Sequence, residues 1–176
     1  MAVYLSLLKR HALRFRLGII AYCLMSNHIH LVVIPGNEKS MADTIGKTHG
    51  HFAQHINRKM NSKGHLWEDR YYSCPMDDAH FLLAARYVER NPVKAGIVTH
   101  PWDYQWSSAA AHINGFDILG LLNLDWWNDI IGNRSWVEYV DQPDLQEEVD
   151  ALVKNTREGK PLGDEKYFEA FNSTRW

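Results

Sequence analysis

No apolar run in the 176 residues approaches the roughly 18 that a membrane-spanning helix needs, so no helical span is expected. Cysteine is scarce. Cys23 and Cys74 cannot form a disulfide framework, and such low usage fits a reducing, cytoplasmic setting. A secretory leader is also missing from the expectation, because the charges of MAVYLSLLKRH follow its short apolar stretch instead of preceding it. There are no internal repeats and no low-complexity tracts, which argues against solenoids and disordered linkers. Net charge is also small, at −2, and taken alone it argues against a nucleic-acid partner.

That average conceals a division. Residues 1–100 hold 13 Lys and Arg against 7 Asp and Glu, whereas residues 101–176 hold 6 against 14. A basic working surface followed by an acidic extension is the expected organisation, with 1–100 as a core domain and 101–176 as a Trp-rich segment packed on it. With 45% apolar and 23% charged residues, the composition is that of a globular protein large enough for an ordinary core.

Hydrophobic spacing predicts an amphipathic helix over Ala2 to Phe15, with Gly18 available to stop it. GIIAYCLM and HIHLVVIP read as two strands joined tightly at Ser26 and Asn27. From Met41 to Met60 the residues Ile45, His49, Phe52, Ile56 and Met60 form one helical stripe. HLWEDRYYSC reads as another strand. MDDAHFLLAARYVERNP reads as a helix capped by Asp77 or Asp78 and ended by Pro92, and DLQEEVDALVKN as a helix opened by Asp144 and Glu147 in a capping-box arrangement. Helices and strands alternate unevenly around a hairpin, so an α+β fold with an antiparallel sheet is favoured over a doubly wound one.

LMSNHIHLVV raises the chemical question. On a strand, His28 and His30 project from one face about 7 Å apart, close enough to share an ion. The same spacing at His49 and His51 falls on a helix, where the rings point roughly 200° apart and cannot chelate. HFAQH imitates the zinc-protease spacing, but Phe52 stands where that chemistry needs a glutamate; His51 and His55, near Lys47 and Arg58, read as a polar, phosphate-facing surface. Tyr87 and Asn91, four apart, share a helix face and would bring a phenol and an amide carbonyl to one ion if that face met the histidines. Arg58, Lys59, Lys63, Arg70, Arg90 and Lys94 surround these elements in sequence and are candidate phosphate contacts; Trp67, Tyr71 and Tyr72 could stack on bases or fill a core.

AYCLMSNHIHLVV, INRKMNSKGHLWEDRYYS, ARYVERNPVKAGIV and WSSAA together resemble the single-tyrosine HUH transposases, specifically their REP-associated tyrosine transposase branch, and TREGKPLGDEKYFEAF is similar to a C-terminal segment of longer members. HIH followed about 57 residues later by Y-x-x-x-N-P-V is the most specific part of the match. The resemblance implies a ferredoxin-like α+β domain and a divalent ion, Mg2+ or Mn2+, held by His28 and His30 with Asn91 as the third ligand. It also implies Tyr87 as the nucleophile and single-stranded DNA beside an imperfect hairpin as the substrate. Manganese, which accepts nitrogen and oxygen ligands, is the preferred ion for an assay.

Members of that family usually begin with a strand ahead of the first helix, and this chain opens directly on the helix. Either the start is truncated, or another segment or a second subunit fills the gap, or the chain is a decaying copy whose sheet is expected to carry unpaired backbone groups. Two other readings stand beside an active transposase: a DNA-binding remnant without cleavage, and a zinc protein using Cys23, Cys74 and the histidines. The sequence leaves monomer and homodimer both open.

Overall fold

The computed structural model describes residues 1–173. Its elements are helix α1 (Ala2–Phe15), strands β1 (Leu17–Leu24) and β2 (Ile29–Pro35), then helices α2 (Ser40–Met60) and α3 (Asp78–Lys94). The extension adds a 3-10 turn at Pro101–Asp103 and helices α4 (Ala109–Asn114), α5 (Leu124–Ile131), α6 (Trp136–Asp141), α7 (Gln146–Glu158) and α8 (Glu165–Ser173). The architecture is mixed α+β around a two-stranded antiparallel sheet.

The hairpin forms as its sequence implies. Met25 N–H donates to the His28 carbonyl at 2.9 Å, which leaves Ser26 and Asn27 as the two turn residues. β1 is buried on both faces because helices cover both. A bulge between Ile19 and Ala21 resets its alternation. Leu17 and Ile19 therefore share a face with Tyr22 and Leu24, packing with Tyr4, Leu5 and Leu8 of α1, while Ala21, Cys23 and Met25 face α3. β2 follows the same division: Ile29, Leu31 and Val33 lie towards the α1 layer and Val32 and Ile34 towards α3.

α1 has the bounds read from its sequence; its stop residue, the course of α3 past Pro92 and the start of α7 differ from the reading. α1 stops at Phe15, where Arg16 takes a left-handed conformation with φ 56°, and Gly18 belongs to β1. α3 is capped by Asp77, whose side chain accepts from His80 N–H at 2.9 Å, but it runs through Pro92 to Lys94. Pro92 is buried there, and the ring's missing N–H costs one helical bond that the surrounding packing offsets. α7 has no side-chain cap, because Asp144 is committed to cations of α3.

The strand expected over 65–74 is not formed; no ladder bond joins that segment to the sheet. Most of its residues are exposed, and it is held mainly by Trp67, which stacks on His49 with ring centres 3.9 Å apart and donates to the His49 carbonyl at 3.1 Å. Held against α2 instead of the sheet, alternating aromatics do not make a strand by themselves.

The extension shares the core of the earlier elements. Trp127 and Trp136 are buried in the cluster that contains Phe81, Ala85 and Val88 of α3. Residues 106–108 and 122–123 line the outer edge of β1: Leu24 N–H donates to the Trp106 carbonyl at 2.9 Å, Ser108 N–H to that of Tyr22 at 3.0 Å, and Asn123 N–H to that of Ile19 at 3.0 Å. Tyr104 adds a bond from its hydroxyl to the Leu24 carbonyl at 2.8 Å.

Candidate active site

β2 and α3 together bring the histidine pair to the tyrosine. The rings of His28 and His30 lie on one side of the hairpin with centres 4.7 Å apart, nearly perpendicular. The His30 ring is 5.5 Å from that of Tyr87, again edge to face. Asn91, one turn along α3, lies near enough to influence both His30 and Tyr87, and its Nδ2 donates to the Tyr87 carbonyl at 2.7 Å. His28 is exposed beside the turn, with Nδ1 2.8 Å from Asn27 Oδ1.

The electrostatics of the two buried members differ. His30 is pushed down to about 4, first by burial and then by His28, against a smaller upward effect of the Asn91 amide. It is therefore neutral at physiological pH, and its buried Nε2 has no hydrogen-bond partner among the described residues. An unprotonated, unpartnered imidazole nitrogen beside a second histidine and an amide fits a divalent ion. Two nitrogens and one oxygen suit manganese better than magnesium, which prefers oxygen.

The Tyr87 phenol is raised above its ordinary value, chiefly by burial, with Asn91 opposing and Asp144 and Arg157 acting in opposite senses. Lys94 Nζ lies 5.1 Å from the centre of the Tyr87 ring. Arg157 and Asp144 belong to the extension, so two charged neighbours of the phenol come from a part of the chain whose sequence offered no such signal.

The expected cations divide. Arg58, Lys59, Lys63 and Arg70 are exposed. Arg90 is not a surface residue: NH1 donates to the Val140 carbonyl at 2.8 Å and Nε lies 3.5 Å from Asp144 Oδ1. Lys94 and Arg86 approach the same Asp144 at 3.7 and 3.6 Å. The acidic extension thus neutralises one side of α3, and Arg90 serves packing where the sequence suggested a phosphate contact.

A second polar cluster resembles catalytic machinery and is not. Glu89, fully buried, accepts from Ser108 Oγ at 2.5 Å and Trp136 Nε1 at 2.9 Å, and lies 2.6 Å from His112 Nδ1. The serine hydroxyl is spent on the carboxylate instead of facing a histidine base, and the group is closed to solvent, so nucleophilic catalysis has neither geometry nor access.

Among the described residues, no group of three or more His, Cys, Asp or Glu side chains is placed to hold an ion. Cys23 pairs in register with His30, but burial pushes its thiol up to about 12 and its Sγ contacts Met25 Sδ at 3.6 Å. His49 and His51 point apart as expected, His49 towards Tyr4 and Trp67 and His51 towards His11.

His30 of β2, with His28 just ahead of it, faces Tyr87 of α3 within the mixed α+β core. Residues 2–91 match the family described as IS200-like transposase, and the chain belongs to that family. No curated protein and no solved structure matches it.

Proposed function

We propose that this chain is a metal-dependent single-stranded DNA endonuclease and strand transferase of the REP-associated branch, built on a ferredoxin-like HUH core and acting beside a hairpin. The observation that carries the reading is the meeting of His30, Tyr87 and Asn91 across β2 and α3, with His28 at the exposed rim. The clefts beside the start of α3, of about 380 and 510 Å3, contain none of these residues. His28 is exposed at the rim, and a strand laid across it would lie beside the half-buried His30 and Tyr87.

Tyr87 attacks a backbone phosphorus; its Oη–P bond forms, the bond to the 3′-oxygen breaks, the phenol proton leaves, and the 3′-oxygen is released as a hydroxyl. The resulting 5′-phosphotyrosine retains the diester energy needed for rejoining. At pH 7 only about one free tyrosine in a thousand is ionised, and burial lowers that fraction for Tyr87. Asn91, Lys94 and Arg157 are the groups of this chain that favour the phenolate or the phosphate charge beside it. His28, His30 and Asn91 are the residues that would hold an Mg2+ or Mn2+ ion, which would supply Lewis-acid stabilisation of the phosphate charge. The exposed Arg58, Lys59, Lys63 and Arg70 hold phosphates without reading sequence.

Incubating the purified protein with labelled hairpin-flanked single strands and manganese is expected to give a covalent adduct that Tyr87→Phe abolishes. Unchanged adduct in that variant removes the nucleophile from the proposal. Replacing both His28 and His30 by Ala is expected to remove cleavage and spare most DNA binding; full cleavage would remove the metal site. The second reading, a binding remnant, is favoured by the two-stranded sheet, and it predicts hairpin binding with no adduct from the unaltered protein.

A further inference from the structure

Helix α4 ends at Gly115, and the chain returns to the outer edge of β1 at Leu122, which bridges Ile19. Between them Phe116, Asp117, Ile118, Leu119 and Gly120 form a tight loop. Gly115 and Gly120 both take left-handed backbone, with φ 66° and 56°. The Asp117 carboxylate accepts from the N–H groups of Leu119, Leu121 and Leu122 at 2.9, 2.6 and 2.8 Å, and Gly120 N–H donates to the Asp117 carbonyl at 3.0 Å. From the other side, Lys9 of α1 donates to the Leu119 carbonyl at 2.6 Å. These bonds hold the loop in one shape.

What the loop presents to solvent is apolar. Ile118 is 87% exposed and Phe116 69%, and Leu13, one turn along α1 from Lys9 on the same side of that helix, is 72% exposed. Single exposed apolar side chains are ordinary, but neighbouring ones on a braced loop mark a contact surface. The surroundings are basic. α1 contains no acidic residue, and Arg10, Arg14 and Arg16 are exposed. Among the described residues, none of these three arginines lies within 4 Å of a carboxylate. The loop's own carboxylate, on Asp117, is turned into its backbone.

We propose that this loop is a wedge for duplex DNA: Phe116 and Ile118 enter the base stack, while Arg10, beside Lys9, and Arg16, at the end of α1, hold phosphates next to it. The inference rests on the DNA-processing reading above and adds a second contact surface to it. Apolar wedges flanked by basic side chains part stacked bases, and the phosphate contacts they allow offset the unstacking. The tip is already rigid, so it enters a stack with little conformational entropy left to lose. The charge around it is opposite to that of a phosphate backbone. Leu121 and Leu122 pack the loop into the α1 layer at the β1 edge, whereas Tyr87 meets β2 from the α3 layer. The DNA at the wedge is therefore duplex continuous with the strand at the tyrosine, and not that strand itself. A protein partner fits less well, because a stable interface takes about 800 Å2 from each side and a tip of two side chains offers far less.

The probe is a set of stem-loop DNAs of one sequence, each carrying 2-aminopurine at a different stem position, titrated with the full chain. Binding is expected to raise the fluorescence at one or two adjacent positions, where the base loses its stacking neighbour. Phe116→Ser combined with Ile118→Ser is expected to remove that rise and weaken binding about tenfold, with the salt slope unchanged. Arg10→Ala is expected to keep the rise at saturation and to lower the salt slope by about 0.9. Phe116 and Ile118 are exposed, so the double variant is expected to keep the circular-dichroism spectrum of the unaltered protein. A double variant that binds as tightly as the unaltered protein overturns the wedge, and so does unaltered protein that binds with no rise at any position. Adduct formation at Tyr87 by the unaltered protein is read in parallel. An adduct without a fluorescence rise removes the wedge alone; no adduct and no DNA binding removes the transposase reading with it.

Discussion

Replacing Glu89 tests whether the extension is held to α3 by one buried carboxylate. Glu89→Ala leaves Ser108 Oγ, His112 Nδ1 and Trp136 Nε1 without their acceptor in a space that no solvent reaches. Each of the three stranded buried donors costs about 1–3 kcal/mol. Because these effects overlap, a total of about 4–6 kcal/mol is expected, a large part of the roughly 5–15 kcal/mol that holds a domain folded. Glu89→Gln keeps the shape and one acceptor, so about 2–3 kcal/mol is expected. The readout is built in: Trp127 stacks on His112 with ring centres 3.7 Å apart and meets Trp136 edge to face at 4.6 Å. Urea unfolding followed by tryptophan fluorescence and near-ultraviolet dichroism reports both the midpoint and the loosening of this cluster. A loss of less than about 1 kcal/mol in Glu89→Ala would refute the reasoning, because donors so easily satisfied elsewhere were never dependent on the carboxylate.

Arg90 and Arg58 are expected to separate stability from binding. Arg90→Ala should lower stability by about 1–3 kcal/mol through the lost Val140 bond and the loss of one of the three cations facing Asp144, measured by denaturant midpoint. Arg58→Ala should leave the midpoint within about 0.5 kcal/mol and weaken single-stranded DNA binding, with the salt slope falling by about 0.7. Acid should destabilise the fold through its histidines. His11, His30 and His49 all lie below their ordinary 6.5, with burial the largest cause, so the unfolded chain takes up more protons as pH falls from there. Their contribution is whole above about pH 6.5 and is lost on descent; for His30, held at about 4, it is on the order of 2–3 kcal/mol by that pH. Unfolding midpoints measured across pH 4–8 should fall on the acid side, and His30→Ala should flatten the decline.

Local pattern was sufficient wherever one element acts alone. The hairpin and an aspartate cap on α3, read as Asp77 or Asp78, follow from turn length and a side chain reaching its own backbone, whereas of the stripe read on α2 only Ile45 is buried and Met60 is exposed. The pairing of His28 with His30 and of Tyr87 with Asn91 is likewise fixed within one strand and one helix. Tertiary structure decided the rest. That the two pairs meet depends on how α3 packs across β2, and no spacing within either element encodes it. Residues 65–74 carry strand-forming aromatics, but Trp67 stacks on His49 and donates to its carbonyl, which ties the segment to α2 instead of the sheet. Arg58 and Arg90 are the same residue type on basic helical segments, yet one faces water and the other an aspartate 54 positions away in the chain. Charge can be counted along a sequence, but burial and partner arise only when distant segments close around it.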